Sequence, residues 1–130
     1  MVTVNHLRTL RVRAVRGATT VECDDKSLIH TVTRELLTAL MTRNQIEMDD
    51  LVSAMFTATP DIRSTFPAAA ARELGWTDVP MLCATEIDVL DSQALCIRVL
   101  LHVERDADLP PLRPVYLREA ISLRQDLIPV

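Results

Sequence analysis

The sequence has few of the residues on which nucleic-acid and metal sites depend. Its 130 residues include one tryptophan, one tyrosine and two phenylalanines, too few for a platform on which bases stack. Acidic side chains outnumber basic ones, 18 to 14, and the net charge of −4 argues against nucleic acid as the main partner. Cys23, Cys83 and Cys96 are odd in number and widely spaced, without a C-x-x-C. This pattern supports neither a disulfide framework nor a zinc knuckle.

Long apolar runs and targeting signals are missing as well. No uninterrupted apolar run approaches the roughly 20 residues that a transmembrane helix needs. Residues 1–10 lack the apolar stretch of a secretory signal, and the unpaired thiols suit a reducing compartment. We therefore expect a cytoplasmic chain that binds neither a membrane nor nucleic acid.

The common catalytic motifs do not occur. The sequence contains no G-x-G-x-x-G, Walker A, G-x-S-x-G or H-E-x-x-H, which argues against nucleotide, serine-hydrolase and metalloprotease sites. His6, His30 and His102 have no ligand spacing, and no base is indicated that could activate Cys83 as a nucleophile. We therefore expect no metal site and no nucleophilic cysteine.

What is present describes one folded domain. The apolar fraction of 48% and the charged fraction of 25% are typical of soluble globular proteins. A chain of this length forms a single domain and buries roughly two-thirds of its unfolded surface. Its core therefore needs no disulfide or metal to stabilise it.

Apolar spacing predicts a strand, a long helix and a second strand in the first half of the chain. Residues 11–21 are rich in β-branched side chains, as a strand is. Asp24 or Asp25 can cap a helix that continues to about Asn44. Residues 51–59 predict a second strand that is apolar on both faces. The helix has an apolar stripe wide enough to lie flat on a sheet, formed by Leu28, Ile29, Val32, Leu36, Leu37, Leu40 and Met41.

The second half predicts a short helix and two more strands. Pro67 suits the first turn of a helix, and Gly75 lies where the glycine after a helix belongs. Residues 80–84 and 94–104 have the composition of strands. Two segments lack a regular pattern: 106–114, a loop with three prolines, and 117–123, which fits a helical turn or a strand.

This order of elements predicts an α/β (α+β) domain in which helices, above all the long one, pack on one face of a sheet. So few helices leave the other face of the sheet uncovered. Because its strands are apolar on that face as well, we expect another copy of the chain to cover it, and so an oligomer.

Two arginines interrupt apolar strand faces. Alternation places Arg16 on a face of the first strand and Arg98 in the middle of a face of the fourth. Such a cation needs an anion, because an unpaired buried charge is very costly. Glu86 or Asp88 can supply an internal ion pair, and a guanidinium extended into water is a further alternative. Two such arginines with one nearby acid leave one cation without a partner. A small molecule that carries carboxylates can bind to that cation.

The chain also resembles a known family in an ordered series of motifs. Residues 15–22 (VRGATTVE), followed by a helix, resemble the opening of the monofunctional chorismate mutases of the trimeric pseudo-α/β-barrel type. Further matches follow in the order and spacing of that family. They are 57–61 (TATPD), 66–68 (FPA), 71–74 (AREL), 79–80 (VP), Cys83, 86–89 (EIDV), 96–99 (CIRV), 115–117 (VYL), 123–124 (LR) and 126–127 (DL).

The resemblance implies a role for the arginines. Chorismate carries two carboxylates and rearranges to prephenate by an intramolecular Claisen shift, which requires no nucleophile, metal or cofactor. By similarity, Arg98 would donate to the ether oxygen as negative charge develops on it. Arg16 and Tyr116 would hold a carboxylate, and Glu86 would accept from the ring hydroxyl. The family's substrate, chorismate, thus accounts for the unmatched cation.

The resemblance also implies a homotrimer with active sites between subunits. Cys83 and its neighbour Leu82 would line the pocket, the latter where the family has a threonine. Ala69 replaces a lysine of the family, so a cation near the entrance is lost. The remaining implied positions are wall residues Phe66, Ala68 and Arg72, and Leu123 and Arg124 near the mouth.

By this resemblance, residues 15–127 form a single chorismate mutase domain. Residues 1–14 then form an N-terminal extension with the start of the first strand, and 128–130 form a tail. Two alternatives remain at this point. A Rid-type enamine or imine deaminase also uses an intersubunit arginine, although the chain lacks the Gly- and Pro-rich strands of that class. A non-catalytic sensor of a carboxylate metabolite is the other, since Arg8, Arg11 and Arg13 leave room for a partner.

Overall fold

The fold is a five-stranded mixed sheet with two helices, seen in a computed structural model that describes residues 9–123. The strands and helices, in chain order, are β1 (Leu10–Thr20), α1 (Lys26–Arg43), β2 (Leu51–Ala58), α2 (Pro67–Glu73), β3 (Met81–Thr85), β4 (Cys96–Asp106) and β5 (Val115–Tyr116). Two short 3₁₀ helices, Met48–Asp50 and Arg118–Leu123, complete the described elements. The mixed sheet with helices confirms the predicted fold class.

The strand order is β3-β2-β4-β1-β5. The long strand β4 lies in the centre and pairs antiparallel with both β1 and β2. The two outer strands pair parallel, β3 with β2 and β5 with β1. Since β1 and β2 have the same direction, α1 is the crossover between them, and α2 is the crossover from β2 to β3.

Helix α1 begins as the sequence predicts. The Asp25 carboxylate accepts a hydrogen bond from the Leu28 amide at 3.0 Å, which satisfies one of the free amides of the first turn. The helix buries most of the predicted stripe, including Leu36, Leu37 and Leu40, against the sheet. Leu28 was wrongly assigned to that stripe, because it lies in the first turn and is exposed. The other acid, Asp24, has a different role that is described below.

Helix α2 also has the predicted ends. Pro67 occupies the first turn, where a proline costs no hydrogen bond. Gly75 follows the helix with φ of +95°, a conformation that favours glycine. The buried face of α2 consists of small residues, Ala68 and Ala71 among them, and therefore packs close to the core around Phe56 and Trp76.

Some boundaries differ from the prediction. The first strand starts and ends one residue earlier than expected, and the fourth is shifted to Cys96–Asp106. The ambiguous segment 117–123 is a 3₁₀ helix rather than a strand, and β5 was not predicted at all. A two-residue strand has no periodicity of its own, since only its pairing with β1 defines it.

The helices cover one face of the sheet, and we call the other the open face. In β4, Val99, Leu101 and Val103 are buried beneath the helices, whereas Arg98 alternates to the open face. The open face carries exposed apolar side chains, of which Leu82 is 66% exposed. This agrees with the expectation of an apolar face that a single chain leaves uncovered.

Gly17 provides a test of the packing between α1 and the sheet. A Cβ atom at this position would lie 2.7 Å from Leu40 Cδ1 and 3.1 Å from Leu36 Cδ1. Both leucines are fully buried and have little space to move. We expect Gly17→Ala to lower the free energy of unfolding by about 1–3 kcal/mol, measured by urea denaturation.

Gly75→Ala is the matched control for this substitution. No atom lies within 4 Å of a Cβ built at Gly75, so only its positive φ is disfavoured, at a cost of about 1 kcal/mol. A Gly17→Ala protein as stable as the wild type would contradict the close approach of α1.

Candidate active site

A row of side chains crosses the open face of the sheet. The pairing register places Arg98 directly opposite Ala18 on one side and Thr57 on the other, and Ala18 opposite Tyr116. Directly opposed residues of neighbouring strands share a face, with side chains about 5 Å apart. Ala18 is small, so it forms a floor between the long side chains of Arg98 and Tyr116.

Glu86 fixes the position of Arg98. Its Oε2 atom lies 3.0 Å from Arg98 Nε and accepts a hydrogen bond from Thr57 Oγ1 at 2.7 Å. The Glu86 amide in turn donates to the Ala58 carbonyl at 2.9 Å, which ties this residue to the end of β2. The other carboxylate oxygen, Oε1, accepts no hydrogen bond from residues 9–123. It is therefore available as an acceptor.

Exposure differs between the two members of this ion pair. The Glu86 side chain is 14% exposed, whereas that of Arg98 is 45% exposed on the open face. Arg98 is thus held by a largely buried carboxylate while its guanidinium faces the solvent side of the sheet. An internal ion pair with Glu86 was one of the three interpretations of Arg98, and the structure contains that pair.

Arg16 adds a second cation beside Arg98. It lies opposite Leu100 and diagonal to Arg98, a separation of about 7–8 Å between such positions. Within residues 9–123 no acidic side chain pairs with Arg16. The site therefore holds two guanidinium groups but one carboxylate, which pairs with Arg98 alone, and it has an excess positive charge. This arrangement favours an anionic ligand.

A cavity of about 240 Å³ lies over this row. Arg16, Arg98, Tyr116 and Thr57 line it, and the remaining wall is mostly apolar, with Met55 and Leu100. A cavity with two cations and an apolar wall suits a small ring that carries carboxylates.

A second cavity, of about 380 Å³, lies between the ends of β2 and β3 and the segment 62–67, and it contains other residues of the implied site. Cys83 pairs with buried Phe56 and so points away from the open face, whereas its neighbour Leu82 lies on the open face opposite Met55. Cys83 and Phe66, which is 69% exposed, line this second cavity. Thr57 is the one residue that borders both cavities.

Of the other implied positions, two lie on α2 and the rest lie at or after the end of the last described helix. Arg72 is exposed on α2, whereas the Ala68 side chain is packed in the core, so only its backbone can face a ligand. Leu123 is half-buried at the end of the last 3₁₀ helix. Arg124 lies outside the described residues.

Two contacts hold the segment that carries Phe66. The Asp24 carboxylate accepts hydrogen bonds from the amides of Arg63 and Ser64, both at 3.0 Å, and those bonds, first that of Arg63, lower the pKa of Asp24. His30 lies 3.1 Å from the Thr65 hydroxyl. The sequence predicted Asp24 only as a possible helix cap. Its hydrogen bonds reach residues 39 and 40 positions further along the chain, and neighbouring residues in the sequence cannot reveal such contacts.

Thr57 is the site residue that sequence reasoning missed. It was quoted within a family motif but received no role, because threonine is an ordinary strand residue. Only the register with Arg98 and the bond to Glu86 identify it.

Among residues 9–123 no three His, Cys, Asp or Glu side chains are grouped as a metal site would require. None of the described helices is long and apolar enough to cross a membrane.

The cysteines give a direct test of this geometry. Cys23 and Cys83 are exposed, whereas burial raises the pKa of Cys96 to about 11. Because the thiolate is the reactive form, we expect iodoacetamide at pH 8 to modify Cys23 and Cys83, and Cys96 only after unfolding. A ligand in the second cavity should slow modification of Cys83 alone, with Cys23 as the internal control. Mass spectrometry of the modified peptides measures this, and early modification of Cys96 would contradict its burial.

Comparisons with known proteins agree with one another. The family model for chorismate mutase type I matches residues 12–127. The chorismate mutase AroH of Bacillus subtilis (strain 168) is 41% identical over 119 residues, 91% of this chain and 94% of the relative. That of Thermus thermophilus is 46% identical over 117 residues, 89% and 96% of the two chains.

A solved structure extends the agreement to the fold. The chorismate mutase from Clostridium thermocellum superposes with a TM-score of 0.81 at 43% identity, over 85% of this chain and 98% of that one. The residues that the family model matches include most of β1 and all of β4 and β5, the strands that carry Arg16, Arg98 and Tyr116. This chain belongs to the type I chorismate mutase family.

Proposed function

We propose that the chain catalyses the intramolecular rearrangement of chorismate to prephenate, a step of aromatic amino-acid biosynthesis, and that Arg98, Glu86 and Arg16 carry the reaction. The observation that supports these roles most directly is the anchored arginine in an apolar cavity. Glu86 holds Arg98, and Arg16 adds a charge without an acidic partner in the described part of the chain. A substrate with two carboxylates provides the missing negative charge.

Arg98 acts on the transition state. In the rearrangement the ether C–O bond breaks while a new C–C bond forms within the same molecule, so no atom or proton leaves. Negative charge develops on the ether oxygen, and a guanidinium that is already in place stabilises it more strongly there than in the substrate. Because Glu86 occupies Nε, a terminal amino group of Arg98 makes this hydrogen bond.

The other residues bind and orient the substrate. Arg16 and Tyr116 hold a carboxylate, and the free Oε1 of Glu86 accepts from the ring hydroxyl. Chorismate must fold into a compact conformer before the two reacting carbons meet, and a cavity of about 240 Å³ favours that conformer. No cofactor takes part in this mechanism.

We further propose a homotrimer in which each site lies between two copies. The division of the residues supports this: Arg16, Arg98 and Tyr116 line one cavity, whereas Phe66 and Cys83 line another. The open face of one chain then receives the Phe66 wall of the next. Ala68 contributes to this wall through its backbone and Arg72 through its side chain, whereas Leu82 borders the open face and Leu123 lies at the mouth.

We also propose that residues 15–127 act as one mutase domain and that the enzyme works in the cytoplasm. In the wall that carries Phe66, Ala69 stands where the family has a lysine, so one cation is missing there. We therefore expect slower capture of the dianionic substrate.

Mixing two inactive variants tests the shared site. Arg98→Ala damages only the open face and Arg72→Ala only the wall. In hybrids formed by unfolding and refolding an equal mixture, about a quarter of the sites combine an intact face with an intact wall. We expect the mixture to turn over chorismate at about a quarter of the wild-type rate. Each variant refolded alone gives the baseline for this measurement. Absence of recovery, with mixed trimers demonstrated by mass spectrometry, would contradict the intersubunit site.

The reaction itself is tested by the loss of chorismate absorbance, with prephenate identified as the product. Rapid loss without an added cofactor supports the mutase. Binding of chorismate without turnover would favour a sensor, and turnover of an imino acid would favour the deaminase, which the comparisons do not support.

A further inference from the structure

A third cavity lies at the far end of the sheet from the active site. It has a volume of about 220 Å³ and is formed where α1 ends and where the loop after β4 returns. Three arginines line it, Arg43, Arg105 and Arg113, and no acidic residue of the described chain does. The chain as a whole has a net charge of −4, so this concentration of cations is not a consequence of composition.

Arg105 is the unusual member of this group. It is only 4% exposed, yet it forms no ion pair within residues 9–123. Its Nη1 atom donates to the Asn44 carbonyl at 2.8 Å, and its buried Nε atom has no hydrogen-bond partner. The negative end of α1 offsets part of the charge. One bond to a carbonyl nevertheless leaves a buried cation without a counterion, which is strongly unfavourable.

The neighbouring strand increases the charge. Arg11 lies directly opposite Arg105 in the β1–β4 pairing, and Arg13 is diagonal to it. Like charges in opposed positions repel each other. The acids next to Arg105 along β4, Glu104 and Asp106, alternate toward the opposite face. No acidic side chain within residues 9–123 forms an ion pair with any of these arginines.

We propose that Arg43, Arg105 and Arg113 form a binding site for a small oxyanion, a phosphate or carboxylate group. The planar guanidinium group donates in pairs to the oxygens of such groups, and three guanidinium groups around one cavity can surround it. An oxyanion here supplies the counterion that Arg105 lacks. This site is independent of the reaction proposed above.

The oxyanion site is distinct from the active site. Arg105 is seven positions beyond Arg98 on β4, about 23 Å along an extended strand. The odd number of positions also places the two arginines on opposite faces of the sheet. Asn44 joins the cavity to the chain that leads to β5, since its side chain accepts from the Arg113 amide at 2.7 Å and donates to the Arg113 carbonyl at 3.0 Å.

Isothermal titration with inorganic phosphate, and separately with succinate, tests the site in the full-length protein at constant ionic strength. We expect saturable binding of at least one of them, and the tighter of the two identifies the group that the cavity prefers. In the double variant Arg43→Gln/Arg113→Gln, which changes two exposed residues, binding should weaken by about tenfold or more. Arg105→Met should abolish it.

Two matched variants complete the experiment. Lys26→Gln removes a cation at the other end of α1 and should leave the dissociation constant within about twofold. Arg98→Ala should likewise leave phosphate binding unchanged, whereas with succinate it should remove only the binding that occurs at the active site, which separates the two sites. No saturable binding of either ion, binding unchanged in the double variant, or phosphate binding lost in Arg98→Ala would each overturn the proposal. The result does not depend on whether chorismate is the substrate.

Discussion

Arg98→Ala is expected to lower kcat for the rearrangement of chorismate by about two to three orders of magnitude. The guanidinium is the only donor that the proposed mechanism directs at the ether oxygen, and alanine cannot replace it. An interaction made only in the transition state lowers kcat and kcat/KM by the same factor. We therefore expect KM to change much less than kcat, as measured by the initial rate of chorismate loss.

Arg34→Ala is the matched control for this variant. Arg34 also forms an ion pair, with Glu73 at 3.1 Å, and its side chain is 39% exposed, close to the value for Arg98. Removal of such an exposed pair costs at most about 1 kcal/mol of stability. Arg34→Ala should thus keep wild-type kcat, whereas a fully active Arg98→Ala enzyme with normal KM would show that the assigned role is wrong.

Glu86→Ala is expected to reduce kcat/KM by about a hundredfold. The substitution removes the acceptor of Arg98 Nε and of the Thr57 hydroxyl, both of which bind to one oxygen of Glu86. It also removes the oxygen proposed to accept from the ring hydroxyl. Without this anchor the guanidinium samples many positions, and a displacement of about 1 Å is sufficient for a loss of this size.

Thr57→Val and Glu35→Ala separate anchoring from general damage. The first removes a single hydrogen bond to Glu86 and should cost about tenfold or less. The second breaks an exposed pair with Arg118 elsewhere on the molecule and should leave the kinetics unchanged. Urea midpoints of all three variants should stay close to wild type. If Glu86→Ala retained full activity, Glu86 would have neither role.

Local chemistry explains what could be predicted from the sequence. The Asp25 cap, the first-turn Pro67 and the glycine after α2 depend on their immediate neighbours, and all three are confirmed. Arg16 and Arg98 stood out because charge interrupts an apolar strand face, which alternation alone reveals. The same reasoning predicted that one nearby acid could pair with only one of these two arginines.

Pairing between distant segments explains what could not be predicted. Strand β5 exists only through its bonds to β1, and Tyr116 reaches the active-site row only through that register. Cys83 and Leu82 are adjacent in the chain but face opposite sides of β3, which separates them into two environments. The division of the implied site between two cavities follows from that parity, and motif matching carries no information about it.

The open face also affects how the protein is made in the cell. A newly synthesised chain exposes Met55 and Leu82 beside β3, a strand whose outer edge is unpaired in the described sheet. Apolar surface next to a free strand edge binds other unfinished chains as readily as correct partners. If the chain forms the homotrimer proposed above, its assembly must therefore be faster than aggregation. Slow synthesis at low temperature should yield more soluble enzyme than rapid synthesis, because assembled copies accumulate while free chains remain scarce.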